Sequence, residues 1–548
     1  MSASISLFLI RKFDSKRTPY FDLTLKLKRH EIILPCLQSG DQEIMKVSFR
    51  RVRNPFPRRG EQQSKVNSEI SHDKSHLPDL KELQMQLNQY KPGEIRKLVT
   101  LYVYEKLPPE ISEQFQRKIQ ALEEASANHA GYPYTLPDLT DDSDCLRVLA
   151  KAVYGGFALN NLGEIQLEEK TETVTTNNSG DKQEEKTKII TNRYSINAYS
   201  EERDIINHFS KLFGLASEES WGIFLPSGTD GNLYGAKCGY DRLKDQQPSL
   251  FGSEASHYSI IRAGNFLGLP REKIITVPSQ PNGEIDYEAL EQIAKNGELG
   301  DAVIGFMNYG TTFTNAIDDP RVVSEILDRY GLGSEKRHLH QDGALAGGMY
   351  PYMQESLKQK LPSFGFGNSC VDTLSISMHK WPGTDVGSVL LGRISRIGQE
   401  ELVEYIGASR RVGSRDGGPI FDAWLKIGLT TPESEREKVE RCINYAEYIG
   451  KELQGAGIDG VSVQLNTIVF PCPSEELLRK YTLVPQTNTH TSKKEAHIIV
   501  MPQHKLGLLR QITTDSEKDL LGRITTDSEK DLGSKDSSTN FSNHKVGV

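Results

Sequence analysis

SISMHKWPG, Ser375 to Gly383, decides the fold: an apolar strand over Thr373 to Met378 runs into a His–Lys pair, and Pro382 and Gly383 then stop regular structure. A lysine at the mouth of a buried strand is unusual, because taking an ammonium out of water is expensive. Burial lowers the pKa of the amine and suits it to nucleophilic, Schiff-base chemistry, which makes Lys380 a candidate catalytic residue. Read alone, the pair fits a surface lysine at a strand end equally well. Working outward, short apolar runs recur at Gly222 to Leu225, Ser249 to Gly252, Ile274 to Val277, Ala302 to Met307 and Ser388 to Leu391. Helical stretches at Asn232 to Leu243, Ser259 to Gly268 and Pro320 to Tyr330 separate most of them. This alternation predicts an α/β fold, a mostly parallel sheet with helices on both faces. Such sheets bind ligands beyond the carboxyl ends of their strands.

Three further strand ends carry chemistry. In HLHQDGALAGG, His338 to Gly348, Asp342 is followed by small residues that let a flat ring approach, and a carboxylate there suits a protonated pyridine nitrogen. PSGTDGN, Pro226 to Asn232, opens a helix with two glycines and two hydroxyls, a natural phosphate cup. SEASHYS, Ser253 to Ser259, places His257 between a strand and a helix, where an imidazole can stack on a heteroaromatic ring or move protons. Each has a bland reading as well: a turn aspartate, a glycine-rich turn, a structural histidine.

The 548 residues carry a net charge of −8 and six scattered cysteines without CxxC pairs. No metal site is expected from that spacing, and the sparse thiols fit a reducing, cytoplasmic setting. No run approaches the length of a membrane span, and the overall charge gives no reason to expect nucleic acid as a partner. Residues 1–66 hold fourteen Lys/Arg against six Asp/Glu, so 1–80 reads as a basic, poorly ordered extension. Leu80, Leu83, Leu87, Ile95, Leu98, Val99 and Tyr102 recur at helical intervals and predict a helical segment over 81–199, interrupted by a polar insertion or hairpin at 166–190. A large domain follows over 200–425. A small α+β domain spans 426–510, with a helix at Glu433 to Leu453 and strands at Thr467 to Phe470 and Ala496 to Met501. In the tail, 511–548, ITTDSEKDL stands at Ile512 to Leu520 and again at Ile524 to Leu532, and its composition reads as disordered.

The order of these blocks resembles the group II pyridoxal-phosphate decarboxylases, in their histidine and serine decarboxylase-like branch. The likeness runs from Tyr132 to Met501 through LNNLG (Leu159 to Gly163), SGTDGNLYG, SHYS, SQPNGEIDY (Ser279 to Tyr287), GTTFTNAIDD (Gly310 to Asp319), HQDGAL, SMHKWPG, GSRDGGPIFDAW (Gly413 to Trp424) and AHIIVMP (Ala496 to Pro502). It implies a fold-type I transferase-like architecture, pyridoxal 5′-phosphate as cofactor, and release of CO2 from a small-molecule L-amino acid. By the resemblance, Lys380 binds the cofactor aldehyde, Asp342 pairs with the pyridine nitrogen and His257 stacks on the ring and faces the substrate. Ser227, Gly228, Thr229 and Ser377 hold the phosphate, Thr311 borders the ring and His379 lines the pocket. Ser414 belongs to a mobile segment over the site, and Asn160 lies near the substrate. Relatives imply a homodimer. Histidine or serine is the expected substrate, with branched-chain aliphatic or aromatic amino acids as alternatives. Another fold-type I lyase, an aminotransferase or a catalytically dead binding protein are the remaining readings. Two departures, Ser227–Gly228 in place of paired glycines and SMHKW in place of an SGHK-type run, leave the cofactor set intact.

Overall fold

The computed structural model describes residues 107–137, 143–148, 198–397 and 415–522 with few gaps, and elsewhere only the backbone of the elements given below. The chain divides into two compact units, Met1–Lys106 and Leu107–Val548. In the first, β1 (Ser6–Lys12), β2 (Tyr20–Leu27), β3 (His30–Cys36) and β4 (Ser48–Arg51) form an antiparallel meander in that order. This corrects the reading of 1–80 as a poorly ordered extension: runs such as FDLTLKL alternate with the period of a strand, a signal that the basic charge had outweighed. The periodic leucines of 80–102 lie outside the described residues.

The second unit opens with α1 (Pro109–Ala127), then β5 (Leu159–Asn161) and a hairpin of β6 (Lys170–Thr175) and β7 (Lys182–Thr187) in the Thr/Glu/Lys-rich stretch. The hairpin falls inside the polar insertion or hairpin expected at 166–190, and much of the rest of 81–199 lies outside the described residues. Thereafter α2 (Tyr199–Leu212), β8 (Ser220–Leu225), α3 (Gly228–Leu243), β9 (Ser249–Ser253), α4 (Ser259–Phe266), β10 (Ile274–Val277), α5 (Tyr287–Lys295), β11 (Val303–Asn308), α6 (Pro320–Arg329), β12 (Arg337–Asp342), β13 (Thr373–Ser377) and β14 (Ser388–Arg393) follow in sequence. They build a seven-stranded sheet of order β10-β9-β11-β12-β13-β14-β8. Only β14 runs antiparallel to its neighbours, β13 and β8, so every other strand ends at one common edge. The α/β alternation read from the apolar runs is borne out.

The strands are apolar on both faces because both faces are covered. On one side Leu233 and Ala236 of α3 and Ile260 and Ala263 of α4 pack on Leu250, Ile304 and Phe306. On the other, Ile205 and Phe209 of α2 join Phe224, Leu374, Ile376, Val389 and Leu391 in a core that continues into the C-terminal part of the chain. That part contains α7 (Gly418–Leu429), α8 (Pro432–Gly455) and an antiparallel sheet of β15 (Ser462–Gln464), β16 (Thr467–Pro471), β17 (Val484–Thr487) and β18 (Lys494–Ile499), with α9 (Glu475–Lys480) between its strands. Val439, Ile443, Ala446, Ile449 and Leu453 form one buried stripe along α8. Thr431 caps this helix by accepting from Ser434 N–H at 3.2 Å, with Pro432 in its first turn. The expected boundary at 425–426 falls inside α7.

The last described element is α10 (Leu506–Asp536), which corrects the reading of the tail as disordered over 511–536; residues 537–548 lie outside the described residues. Leu509, Ile512, Ser516 and Leu520 recur every three or four residues and are buried. Composition hid a helical stripe that spacing carries.

Candidate active site

The ends of β8, β9, β11, β12 and β13, or the loops that follow them, deliver polar groups to one cavity of about 220 Å³. Nine of the eleven residues named from the sequence line it: Ser227, Gly228, Thr229, His257, Thr311, Asp342, Ser377, His379 and Lys380. Ser227 caps α3, its Oγ accepting from Asp230 N–H at 3.2 Å and donating to Asp230 Oδ2 at 2.7 Å. A Cβ on Gly228 would lie 2.3 Å from Ser377 Oγ, so the start of α3 sits directly against the end of β13. Gly310 has φ +98°, a turn that side chains disfavour, and it brings Thr311 and Thr312 into the wall. Thr311 Oγ1 accepts from Ala316 N–H at 2.9 Å, which holds that turn.

Asp342 ends β12 and is 5% exposed. One carboxylate oxygen accepts from Ala344 N–H at 3.0 Å and the other from Asn232 Nδ2–H at 2.6 Å. Lys380 lies three residues beyond β13 with its side chain half-buried in the cavity. Burial lowers the pKa of its amine, opposed by the charge of Asp342. Burial likewise lowers His257, against the pull of Asp342, and brings His379 to about 4. Burial thus disfavours the charged forms of the amine and of both imidazoles.

Sequence reasoning missed part of the wall. Tyr132 and Tyr134 line the cavity because Thr135 hooks their segment to the lysine loop, donating from Oγ1 to Lys380 O at 2.6 Å and from N–H to His379 O at 3.0 Å. His497 ties the same segment down, its ring nitrogens lying 2.9 Å from Gly131 O and 3.0 Å from Phe313 O. Asn232 also faces the cavity; its only advance signal is its place one turn into the helix that the cup opens.

The side chains of Asn160 and Ser414 lie outside the described residues. Their backbones meet: β5 pairs antiparallel with the strand Ser414–Asp416, setting Arg415 opposite Asn160 and Ser414 opposite Asn161. The buried Arg415 side chain donates to both carboxylate oxygens of Glu202, at 2.7 and 2.9 Å, and to Phe224 O near the end of β8. This two-stranded ladder is therefore moored three residues from Ser227.

A donor-rich cup clear of side-chain carbon, a buried carboxylate and a lysine of lowered pKa fit pyridoxal phosphate, and with this sheet they define the class, a fold-type I carboxy-lyase. Residues 239–403 match the model of the pyridoxal-dependent decarboxylase conserved domain. The chain is 33% identical to a histidine decarboxylase of Vibrio campbellii, over 61% of this chain and 82% of that one. It is 34% identical to one from Pseudomonas entomophila, over 57% and 74%. Among solved structures, the L-methionine decarboxylase of Streptomyces sp. 590 superposes with a TM-score of 0.62 at 21% identity, over 75% of this chain and 95% of that one. The chain belongs to the pyridoxal-dependent decarboxylase family. It is an enzyme that binds pyridoxal phosphate and decarboxylates an amino acid.

Proposed function

We propose that this enzyme converts a polar L-amino acid, histidine first and serine second, to its amine and CO2. The observation that carries the reading is the convergence of Lys380, Asp342 and His257 on one cavity at the carboxyl ends of the strands. The bound cofactor supplies an electron sink for the pair of electrons left on Cα when the carboxylate departs. Lys380 would hold the cofactor through its side-chain amine, at the mouth of the cavity's buried strand. Asp342 would pair with the pyridine nitrogen and favour its protonated form, which strengthens the electron sink. His257 covers the ring face. Ser227, Gly228, Thr229 and Ser377 receive the phosphate, Thr311 borders the ring, and His379 closes the floor beside the lysine. Asn160 contacts substrate, and Ser414 belongs to the segment over the site.

The preference for histidine rests on the 33–34% identity to histidine decarboxylases and on hydroxyl-bearing walls, Tyr132, Tyr134 and Thr312, set against Leu345 and Val386. A homodimer is the assembly we propose, since Tyr132, Tyr258 and Val386 at the cavity are 51–62% exposed. Among the described residues no helix is long and apolar enough to cross a membrane, and we place the enzyme in the cytoplasm. Two measurements test the reading. Borohydride reduction and peptide mapping should place the cofactor on Lys380; a label on another lysine overturns the site. Competition among histidine, serine, methionine, valine and leucine, scored by amine formed, should give histidine the highest kcat/KM. Valine or leucine ahead would overturn the polar-substrate reading and leave the family intact.

A further inference from the structure

Beneath the cavity, a row of buried polar groups accounts for every proton it carries. Asn232 Nδ2 has two hydrogens, one donated to Asp342 Oδ2 at 2.6 Å and one to Ser259 Oγ at 2.9 Å. The amide cannot be turned round, because its oxygen would then face a carboxylate oxygen at hydrogen-bond distance. Asn232 Oδ1 accepts from Ser375 Oγ–H at 2.9 Å and lies 3.2 Å from His340 Nε2, whose other neighbour is Ser375 Oγ at 3.3 Å; with the serine proton on the shorter bond to the amide oxygen, Nε2 carries its own proton. His340 Nδ1, 2.9 Å from Thr373 Oγ1, is then the acceptor of the threonine hydroxyl. That oxygen in turn accepts from His338 Nε2–H at 2.9 Å. On the other branch Ser259 donates to His257 Nδ1 from Oγ–H at 2.8 Å and from backbone N–H at 3.3 Å. A backbone N–H can only donate, so the proton of a neutral His257 is on Nε2.

We infer that Asn232, His340 and Thr373 are positioning residues: a one-way hydrogen-bond chain from His338 to Asn232 holds Asp342 as a pure acceptor and fixes His257 with Nε2–H as its free donor. Every member except His257 is buried, and aligned bonds in such a medium polarise one another. The sequence makes room for the chain. On α3 a Cβ at Gly231 would lie 3.0 Å from Ser375 Cβ, one at Gly235 would lie 2.4 Å from His340 Nδ1, and one at Gly239 would lie 2.7 Å from His338 Cγ. Three glycines four residues apart leave a slot that the two imidazoles and a serine fill. Burial lowers both histidines, His340 to about 4, consistent with neutral rings.

This inference rests on the proposed pairing of Asp342 with the ring nitrogen, but its first test does not. Nitrogen NMR of the apoprotein labelled at histidine should show His257 and His340 as neutral Nε2–H tautomers throughout neutral pH. A proton on Nδ1 of either ring, or an imidazolium, overturns the chain, whatever the enzyme decarboxylates. Thr373→Val, nearly isosteric, should release His340 into mixed tautomers and move the nitrogen signal of ring-labelled cofactor toward the unprotonated form. In the same variant kcat should fall by about 10- to 100-fold with KM little changed, and Thr373→Ser should restore all three readouts. A valine variant with unaltered tautomers and ring-nitrogen signal overturns the positioning role. The wild-type spectrum alone remains decisive should either variant fail to fold.

Discussion

Between Gly228 and Ser377 there is no room for another carbon. Gly228→Ala brings a methyl to 2.3 Å from the serine oxygen, so either α3 lifts or Ser377 turns away, and both would widen the cup. Overpacking of this kind costs about 1–3 kcal/mol. Titration of the apoprotein with pyridoxal phosphate should show affinity reduced by about tenfold or more, while peptide mapping still finds the label on Lys380. Unchanged affinity would mean that the phosphate sits elsewhere. Lys380, Asp342 and His257 were legible because each is a polar residue ending an apolar run, and a buried strand announces its exit. Asn232 was not, because a polar residue one turn into a helix looks solvated. Its bond to Asp342 spans 110 positions and exists only because β12 lies under α3.

The C-terminal helix shows how an element can be present in spacing and invisible in composition. Asp515 accepts from Lys480 Nζ at 2.8 Å and from the Tyr481 hydroxyl at 2.5 Å, and Asp519 accepts from Ser474 N–H at 2.9 Å. The first copy of the repeat thus caps α9 and buries Ile512 and Leu520, worth about 1.5–3 kcal/mol each. Ending the chain after Gly522 should leave thermal stability and activity near those of the full chain. Ending it after Arg510 should lower the Tm by several degrees, measured by calorimetry. Equal Tm values for the two truncations would show that the helix contributes nothing. Six of the seven sheet strands were read to within two residues because they are apolar and buried on both faces, whereas β12, with its two histidines, was given no bounds. α5 went unread because its core-facing stripe is only Leu290 and Ala294.

At the scale of the whole molecule, buried imidazoles set a pH limit. Burial holds His340, His379 and His504 each at about 4, below the ordinary value near 6.5. Between those two values the unfolded chain binds protons that the native chain refuses, so stability is retained above pH 6.5 and lost as pH falls toward 4. Each histidine contributes at most ~1.4 kcal/mol per pH unit to that loss. Denaturant titrations at pH 7, 6 and 5 should show a falling midpoint, and His504→Gln should flatten the slope. A midpoint constant from pH 7 to 5 would contradict neutral burial. These histidines are scattered over 165 positions, and only the fold gives them a common property.

Gly231, Gly235 and Gly239, the three interior glycines of α3, bear on how the protein is made. Each weakens a helix by about 0.8–1 kcal/mol relative to alanine, so a segment bearing three has little tendency to form alone. It packs against α4 and against strands from β8 to β14, and β14 ends at Arg393. A nascent chain that has emerged only as far as the helix has no surface to lay it on and no cup to offer. The phosphate cup at the start of this helix is therefore complete only once the chain has been made as far as β14, some 165 positions beyond Gly228.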